Sequence, residues 1–274
     1  MSHPYLASVL LKIGRAREHA SELTSSIRAW LERQPARGRA EFLPDRMGYR
    51  LVLEDFTVRP ECSKWGLLIG DCVHNLRSSL DNLCFALARL KRDPPERPHR
   101  IQFPVFADAE RFRHDPRVAD TLSQLPAEVA GHIELWQPFR RVDQFAIKAD
   151  ALNLLTHLSN QDKHRVPQVV LVAINQGAHQ AQLSFDSDED AAAFVAGPPD
   201  VRIFAGPMEP GSVLMQVIGN RRIASSGGQV TVEPVPAIQT LVALEGAMPT
   251  VAAICAHAEE LFSYFQRRFF EAAP

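Results

Sequence analysis

The sequence lacks any apolar run of the roughly 20 residues that a membrane-spanning helix requires. Its N-terminus, MSHPYLASVLLKIGRAREHA, contains a short apolar stretch, but no basic segment precedes that stretch. A signal peptide would carry such a segment, so this stretch is expected to be a helix of the mature protein. The sequence therefore predicts a protein with no membrane partner.

The cysteine content and the net charge of the chain are both low. The chain of 274 residues has four cysteines, no two of which form a CxxC pair, and a formal net charge of −2. Buried reduced thiols in a cytoplasmic protein are the expected use of these cysteines. The small net charge argues against electrostatic binding of nucleic acid by the whole chain, but it is compatible with a local basic patch.

Several catalytic and cofactor-binding motifs are also absent. The sequence contains no P-loop, no GxGxxG or GxSxG motif and no HExxH motif. These absences argue against the nucleotide-binding, hydrolase and metalloprotease chemistries that depend on those motifs. The sequence therefore predicts no cofactor.

The clearest predicted helix runs from residue 63 to residue 90. Its apolar face recurs at helical spacing and is formed by Leu67, Leu68, Cys72, Val73, Leu76, Leu80, Leu83, Cys84 and Leu87. A polar stripe opposite that face contains Asp71, His74, Ser78 and Asp81, with Arg77 at its edge. A solvated stripe usually carries Lys, Glu and Gln, so these short hydrogen-bonding side chains indicate a polar site.

A second helix with a polar stripe is predicted over residues 143–165. Leu152, Leu154, Leu155 and Leu158 supply its apolar face. Its polar stripe contains Asp150, Asn153, His157, Asn160 and His164, spaced three, four, three and four residues apart. The helix ends in the polar sequence NQDKHR, which covers residues 160–165 and is followed by Pro167.

The arrangement of these segments predicts an α+β protein. Helices over residues 4–34, 63–90, 143–165 and 249–270 each need a partner for one apolar face, and four such helices can form a bundle. Residues 36–47 are expected to form a loop and residues 49–58 a strand. Five short β-type runs between residues 166 and 235 predict an inserted antiparallel sheet. We therefore expect a bundle of residues 1–165 and 249–274 with a β region at 166–248, folding as one cooperative unit.

The two polar stripes have four competing interpretations. They are solvated faces, or a hydrogen-bond network that fixes helix register, or a metal site, or a catalytic site. Metal ligands would come from Asp71, His74, His157 and His164, but di-metal bundle sites normally use Glu and neither stripe has one. Metal-free RNA cleavage needs a base, an acid and a cation for the phosphorane charge. His74 or His164 would be the base or acid, Arg77 or Arg165 would hold the phosphate, and Asn160 would orient it.

Three segments resemble a known pattern. GDCVHNLRSSLDNL, IQFPVF and LSNQDKHR occur in the order of the pattern GDxxHNLRSxLD…FPxF…DKHR, which is typical of a group of uncharacterised bacterial proteins. The helical part also resembles, more loosely, the HEPN superfamily of helical bundles. This resemblance implies a metal-independent RNase that carries an Arg-x(4–6)-His motif and acts as a dimer. It also implies a role in bacterial defence or toxin–antitoxin systems.

The chain departs from the HEPN motif at its expected position. The histidine that should follow Arg77 is replaced by Asn82, whereas Arg92 and His99 match the spacing but lie in the proline-rich loop RDPPERPHR, which argues against that pair. We therefore predict an RNA-cleaving or RNA-binding protein with catalytic residues His74, Arg77, Asn160 and His164. The binding residues are predicted to be Asp71, Asp81, Asn82, His157, Asp162, Lys163 and Arg165. The alternative is a non-catalytic interaction or small-ligand-binding protein in which both stripes are structural.

Overall fold

The computed structural model describes residues 3–34, 36–163, 165–173, 182–197, 199–204, 208–227, 230–231 and 234–271, and its α+β architecture confirms the predicted fold class. The chain divides into two compact units. The first comprises Met1–Thr24, Ser63–Gln168 and Ile238–Pro274, and the second comprises Ser25–Cys62 and Val169–Ala237. This division differs from the predicted one because residues 25–62 belong with the strands. Folding as one cooperative unit stays a prediction.

Helices make up most of the first unit and a smaller part of the second. In chain order the helices of the described residues are α1 (Ala7–Leu31), α2 (Cys62–Arg89), α3 (Ala109–His114), α4 (Pro116–Ser123), α5 (Ala127–Leu135), α6 (Gln144–Ala149), α7 (Ala151–Asp162), α8 (Asp188–Ala196) and α9 (Ala247–Phe269). Of these helices, α8 and the end of α1 lie in the second unit. Short 3₁₀ turns occur at Pro4–Leu6, Pro98–Arg100 and Pro138–Arg140. Three of the four predicted long helices are therefore present as α1, α2 and α9.

The fourth predicted helix, over residues 143–165, is divided into α6 and α7. Asp150 lies between them in an extended conformation, and its carboxylate accepts hydrogen bonds from the backbone N–H groups of Leu152 and Asn153. An aspartate in this position satisfies the free N–H groups at the start of a helix. Asp150 therefore begins α7 instead of continuing a longer helix.

The strands of the described residues are β1 (Ala36–Phe42), β2 (Gly48–Phe56), β3 (Val169–Ala173), β4 (Gln182–Phe185), β5 (Asp200–Ile203), β6 (Val213–Ile218), β7 (Ile223–Gly227), β8 (Val230–Thr231), β9 (Pro234–Gln239) and β10 (Leu244–Gly246). Within the second unit, five strands form an antiparallel sheet in the order β5–β6–β2–β1–β8. Strands β4 and β7 pair antiparallel with each other. Part of the predicted β insertion, residues 174–181 among them, lies outside the described residues.

The prediction of a loop over residues 36–47 is wrong for its first half, which forms β1. Exposed Arg37, Arg39 and Glu41 alternate with half-buried Gly38, Ala40 and Phe42 along this strand. The alternation has the two-residue period of a half-buried strand. Its inward positions are mostly small residues, so the segment carries little of the apolar signal by which strands are predicted.

Candidate functional site

The apolar face of α2 is largely as predicted and orients its polar stripe. Leu80 is 1% exposed, whereas Leu67, which was assigned to the same face, is 56% exposed. Thirteen residues separate these two leucines, which corresponds to about 140° around a helix, so the placement of Leu67 is wrong. Asp71 and His74 are exposed on the other side of α2.

Near the C-terminal end of the polar stripe on α2, Arg77 and Asp81 form a hydrogen-bonded cluster with the backbone of Phe103. The Nη2 atom of Arg77 donates to Asp81 Oδ1 (2.7 Å) and to the carbonyl oxygen of Phe103 (2.6 Å). The N–H of Phe103 donates to the same Asp81 oxygen (2.9 Å). The IQFPVF segment is therefore attached to α2 through its backbone, and Arg77 already has two acceptors.

The surroundings of Asp81 act on its pKa in opposite directions. Burial raises the pKa of this carboxyl, while the charge of Arg77, the N–H of Phe103 and the charge of Lys163 lower it. The net effect is a raised pKa. The charge of Lys163 is thus close enough to act on the Asp81 carboxyl group.

Two glycines of α2 face the last residue of α7 and the segment that follows it. A Cβ atom added to Gly70 would lie 2.2 Å from Asp162 Oδ1, and one added to Gly66 would lie 2.3 Å from the carbonyl oxygen of Pro167. Four residues separate the glycines, so they lie on one side of the helix. The small size of these glycines thus lets Asp162 and Pro167 approach α2 closely.

Replacing Gly66 by alanine is expected to lower the free energy of unfolding by about 1–2 kcal/mol, which chemical denaturation would measure. The new methyl group would overlap a backbone oxygen, and overpacking of this kind costs more than the gain in helix propensity, roughly 1 kcal/mol. Gly131→Ala in α5 is the matched control, because among the described residues no atom beyond the nearby backbone of its own helix lies within 4 Å of its added Cβ. Equal stability changes in the two variants would contradict the close approach.

The stripe predicted on the second helix is used mainly for local structure. Besides capping α7, Asp150 accepts a hydrogen bond from Arg141 Nε (2.6 Å). Asn153 donates to the carbonyl oxygen of Ile147 (3.0 Å). These contacts join α6 to α7. They occupy most of the polar atoms of Asp150 and Asn153 that could otherwise bind a ligand.

The remaining predicted residues differ in exposure. His157 is half-buried, with Nε2 2.9 Å from the side-chain nitrogen of Gln161, and burial lowers the pKa of its imidazole. Asn160, Lys163 and Arg165 are exposed, Asn82 and Asp162 are half-buried, and His164 lies outside the described residues. His74, Lys163 and Asn160 are thus accessible polar residues, and their catalytic or binding roles stay predictions.

A basic cavity, which sequence reasoning missed, opens between the Pro98–Arg100 turn and α4. Its volume is about 620 Å³, and it is lined by Arg97, His99, Arg100, Pro116, Arg117, Asp120 and Ser123. The sequence signal is the RPHR segment at residues 97–100, which is part of the proline-rich loop that argues against the Arg92 and His99 pair. We call this cavity the arginine cavity.

The charges of the arginine cavity are only partly compensated. Arg97 pairs with Asp120 (2.6 Å), and Arg117 pairs with Asp115 (2.7 Å). The hydrogen bonds from Arg117 lower the pKa of Asp115 to about 2, so that carboxylate is ionised at neutral pH. Arg100 is exposed and has no ion-pair partner among the residues that the structure describes. The cavity therefore has one guanidinium group available for an anion.

Comparison with protein-family models, with curated proteins and with solved structures finds no match for this chain. The resemblance to the GDxxHNLRSxLD…FPxF…DKHR group and to HEPN bundles therefore stays a prediction. Across the described ranges, no three His, Cys, Asp or Glu side chains form a group able to hold a metal ion. In that same part of the chain, no helix combines the length and apolarity that crossing a bilayer requires.

Proposed function

We propose that the protein binds RNA and that the arginine cavity contacts the RNA phosphates. The observation that supports this most directly is the grouping of Arg97, Arg100 and Arg117 around one opening. Arginine presents a planar set of N–H donors that matches phosphate oxygens and keeps its charge at any relevant pH. Arg100 is the member with no carboxylate partner in the described structure, so it is the proposed principal contact.

The size of the arginine cavity suits one segment of a nucleic-acid strand. Its volume of about 620 Å³ falls within the range of roughly 300–1,000 Å³ that ligand sites occupy. Nucleic-acid affinity comes largely from phosphate neutralisation by Lys and Arg. A local basic cavity on a chain of net charge −2 would therefore give RNA one preferred docking position.

Fluorescence anisotropy with a labelled single-stranded RNA tests this proposal. Wild-type protein should bind saturably, and Arg100→Ala should raise the Kd about tenfold, which corresponds to roughly 1.4 kcal/mol. Arg113→Ala is the matched control, because Arg113 is exposed, pairs with Glu110 and lies outside the cavity lining. Absence of RNA binding, or equal losses in both variants, would reject the proposal.

RNA cleavage is the second part of the proposed function, and the exposed histidine in the cavity lining favours it. His99 adjoins Arg100 in the same 3₁₀ turn. An imidazole beside a guanidinium pairs a proton donor or acceptor with a group that stabilises phosphorane charge. His74 on α2 is the other accessible candidate. Cleavage of labelled RNA in EDTA should be lost in His99→Ala if the cavity is catalytic and in His74→Ala if the α2 stripe is.

A non-catalytic ligand-binding function is the competing candidate. Five polar residues of the predicted stripes have structural contacts, namely Arg77, Asp81, Asp150, Asn153 and His157. A non-catalytic function is supported if RNA binds but is not cleaved in EDTA, and if both histidine variants bind RNA with the wild-type affinity. The cytoplasmic location and the homodimer suggested by the sequence belong to the proposal as well.

A further inference from the structure

Two of the four cysteines are in contact in the interior of the first unit. Cys72 on α2 and Cys255 on α9 are separated by 183 positions in the chain, yet their Sγ atoms lie 3.7 Å apart. Cys72 is fully buried and Cys255 is 8% exposed. A disulfide has an S–S distance of about 2.05 Å, so a small movement of the side chains would bring the two sulfurs to bonding distance.

The two thiols of this pair differ in acidity. The contact between the two Sγ atoms lowers the pKa of Cys255, and the same contact together with burial raises the pKa of Cys72. Burial and Glu259 oppose the lowering at Cys255, while the charge of Arg17 favours it. Arg17 and Glu259 form an ion pair beside Cys255, and Arg17 is largely exposed. Cys255 is thus the more reactive and more accessible thiol of the two.

We propose that Cys72 and Cys255 form an oxidative modification site that takes hydrogen peroxide or an organic hydroperoxide and becomes an intramolecular disulfide. The Cys255 thiolate attacks one peroxide oxygen, the O–O bond breaks, and the departing oxygen leaves as water or an alcohol after taking up a proton. The Cys72 sulfur then attacks Sγ of the resulting sulfenic acid. The S–O bond breaks, and the hydroxyl group of the sulfenic acid takes up the Cys72 proton and leaves as water.

The disulfide would join α2 and α9 covalently. Its closed loop is long, and a disulfide across a long loop stabilises a protein mainly by restricting the unfolded chain. The oxidised protein should therefore melt roughly 5–10 °C higher than the reduced protein. A dithiol reductant should reverse this shift, because the modification is a disulfide and not a higher sulfur oxide.

Alkylation and intact-mass measurement test the site. Reduced native protein is treated with hydrogen peroxide, unfolded and alkylated, and the number of free thiols should fall from four to two per chain. Peptide mapping of wild-type protein should recover a single linked pair that contains Cys72 and Cys255, and this result depends on no variant. Cys62→Ser is the matched control and should still lose two thiols, whereas Cys255→Ser should lose none to a disulfide.

Three results of thiol counting and peptide mapping would overturn the inference, and a fourth result, by mass, would do so as well. The first three are retention of all four thiols under excess peroxide, linkage of a different pair of cysteines, and the same thiol loss in Cys255→Ser as in wild type. Oxidation of Cys255 to sulfinic acid without linkage to Cys72 would have the same consequence, because the neighbouring thiol would then have failed to react.

Discussion

Leu80→Ala is expected to lower the free energy of unfolding by about 2–5 kcal/mol. Leu80 is 1% exposed and lies on the apolar face of α2. Truncation removes buried apolar surface and leaves a cavity that the neighbouring side chains fill only in part. Urea denaturation, monitored by circular dichroism, would measure the loss and should return an unchanged dependence of the unfolding free energy on urea.

Leu67→Ala on the same helix is the control for this experiment. Its side chain is 56% exposed, so the same substitution there should change the unfolding free energy by less than about 0.5 kcal/mol. The pair separates the effect of burial from that of helix propensity, because both variants replace leucine by alanine within α2. A similar loss at the two positions would contradict the orientation of this helix.

Asp81→Ala is expected to destabilise the fold by about 2–3 kcal/mol. The substitution removes the acceptor of the Phe103 N–H and one of the two acceptors of Arg77, and it leaves the largely buried guanidinium without its carboxylate. Amide hydrogen exchange at Phe103 should accelerate, because that N–H loses its only acceptor in the described structure. Exchange within the centre of α9 should change much less.

Asp81→Asn distinguishes the hydrogen bonds from the charge. The amide oxygen keeps an acceptor for Phe103 and Arg77, so the loss of stability should be smaller than in Asp81→Ala. The raised pKa of Asp81 means that the folded state holds the proton more tightly than the unfolded state. Stability from this group is therefore lost as pH rises from about 3.9 through the folded pKa, and Asp81→Asn should lack that pH dependence. Equal stability of the alanine and asparagine variants would show that the hydrogen bonds of this cluster do not stabilise the fold.

Helical periodicity was a good guide to α1, α2 and α9, because each of these helices buries one broad apolar face. It failed where a short polar residue changes the backbone path. Asp150 fits the spacing of a polar stripe, yet its carboxylate caps α7 and interrupts the helix that the spacing suggested. Strand β1 was missed because its inward residues are mostly small and supply little apolar signal.

The arginine cavity could not be predicted from spacing, because it depends on how the Pro98–Arg100 turn lies against α4. Arg97 and Arg117 are 20 positions apart in the chain, and only the fold brings them to one opening. The contact of Cys72 with Cys255 is hidden from the sequence for the same reason. Periodicity indicates which side of a helix is buried, whereas it does not indicate which two buried side chains meet.

The salt dependence of RNA binding by wild-type protein and Arg100→Ala tests the central claim most directly. Each phosphate contact with single-stranded nucleic acid contributes about −0.7 to the slope of log K against log salt concentration. Arg100→Ala should therefore bind more weakly and with a slope shallower by roughly 0.7–1, whereas Arg113→Ala should keep the wild-type slope. Identical affinity and slope in wild type and Arg100→Ala would contradict phosphate binding at the arginine cavity.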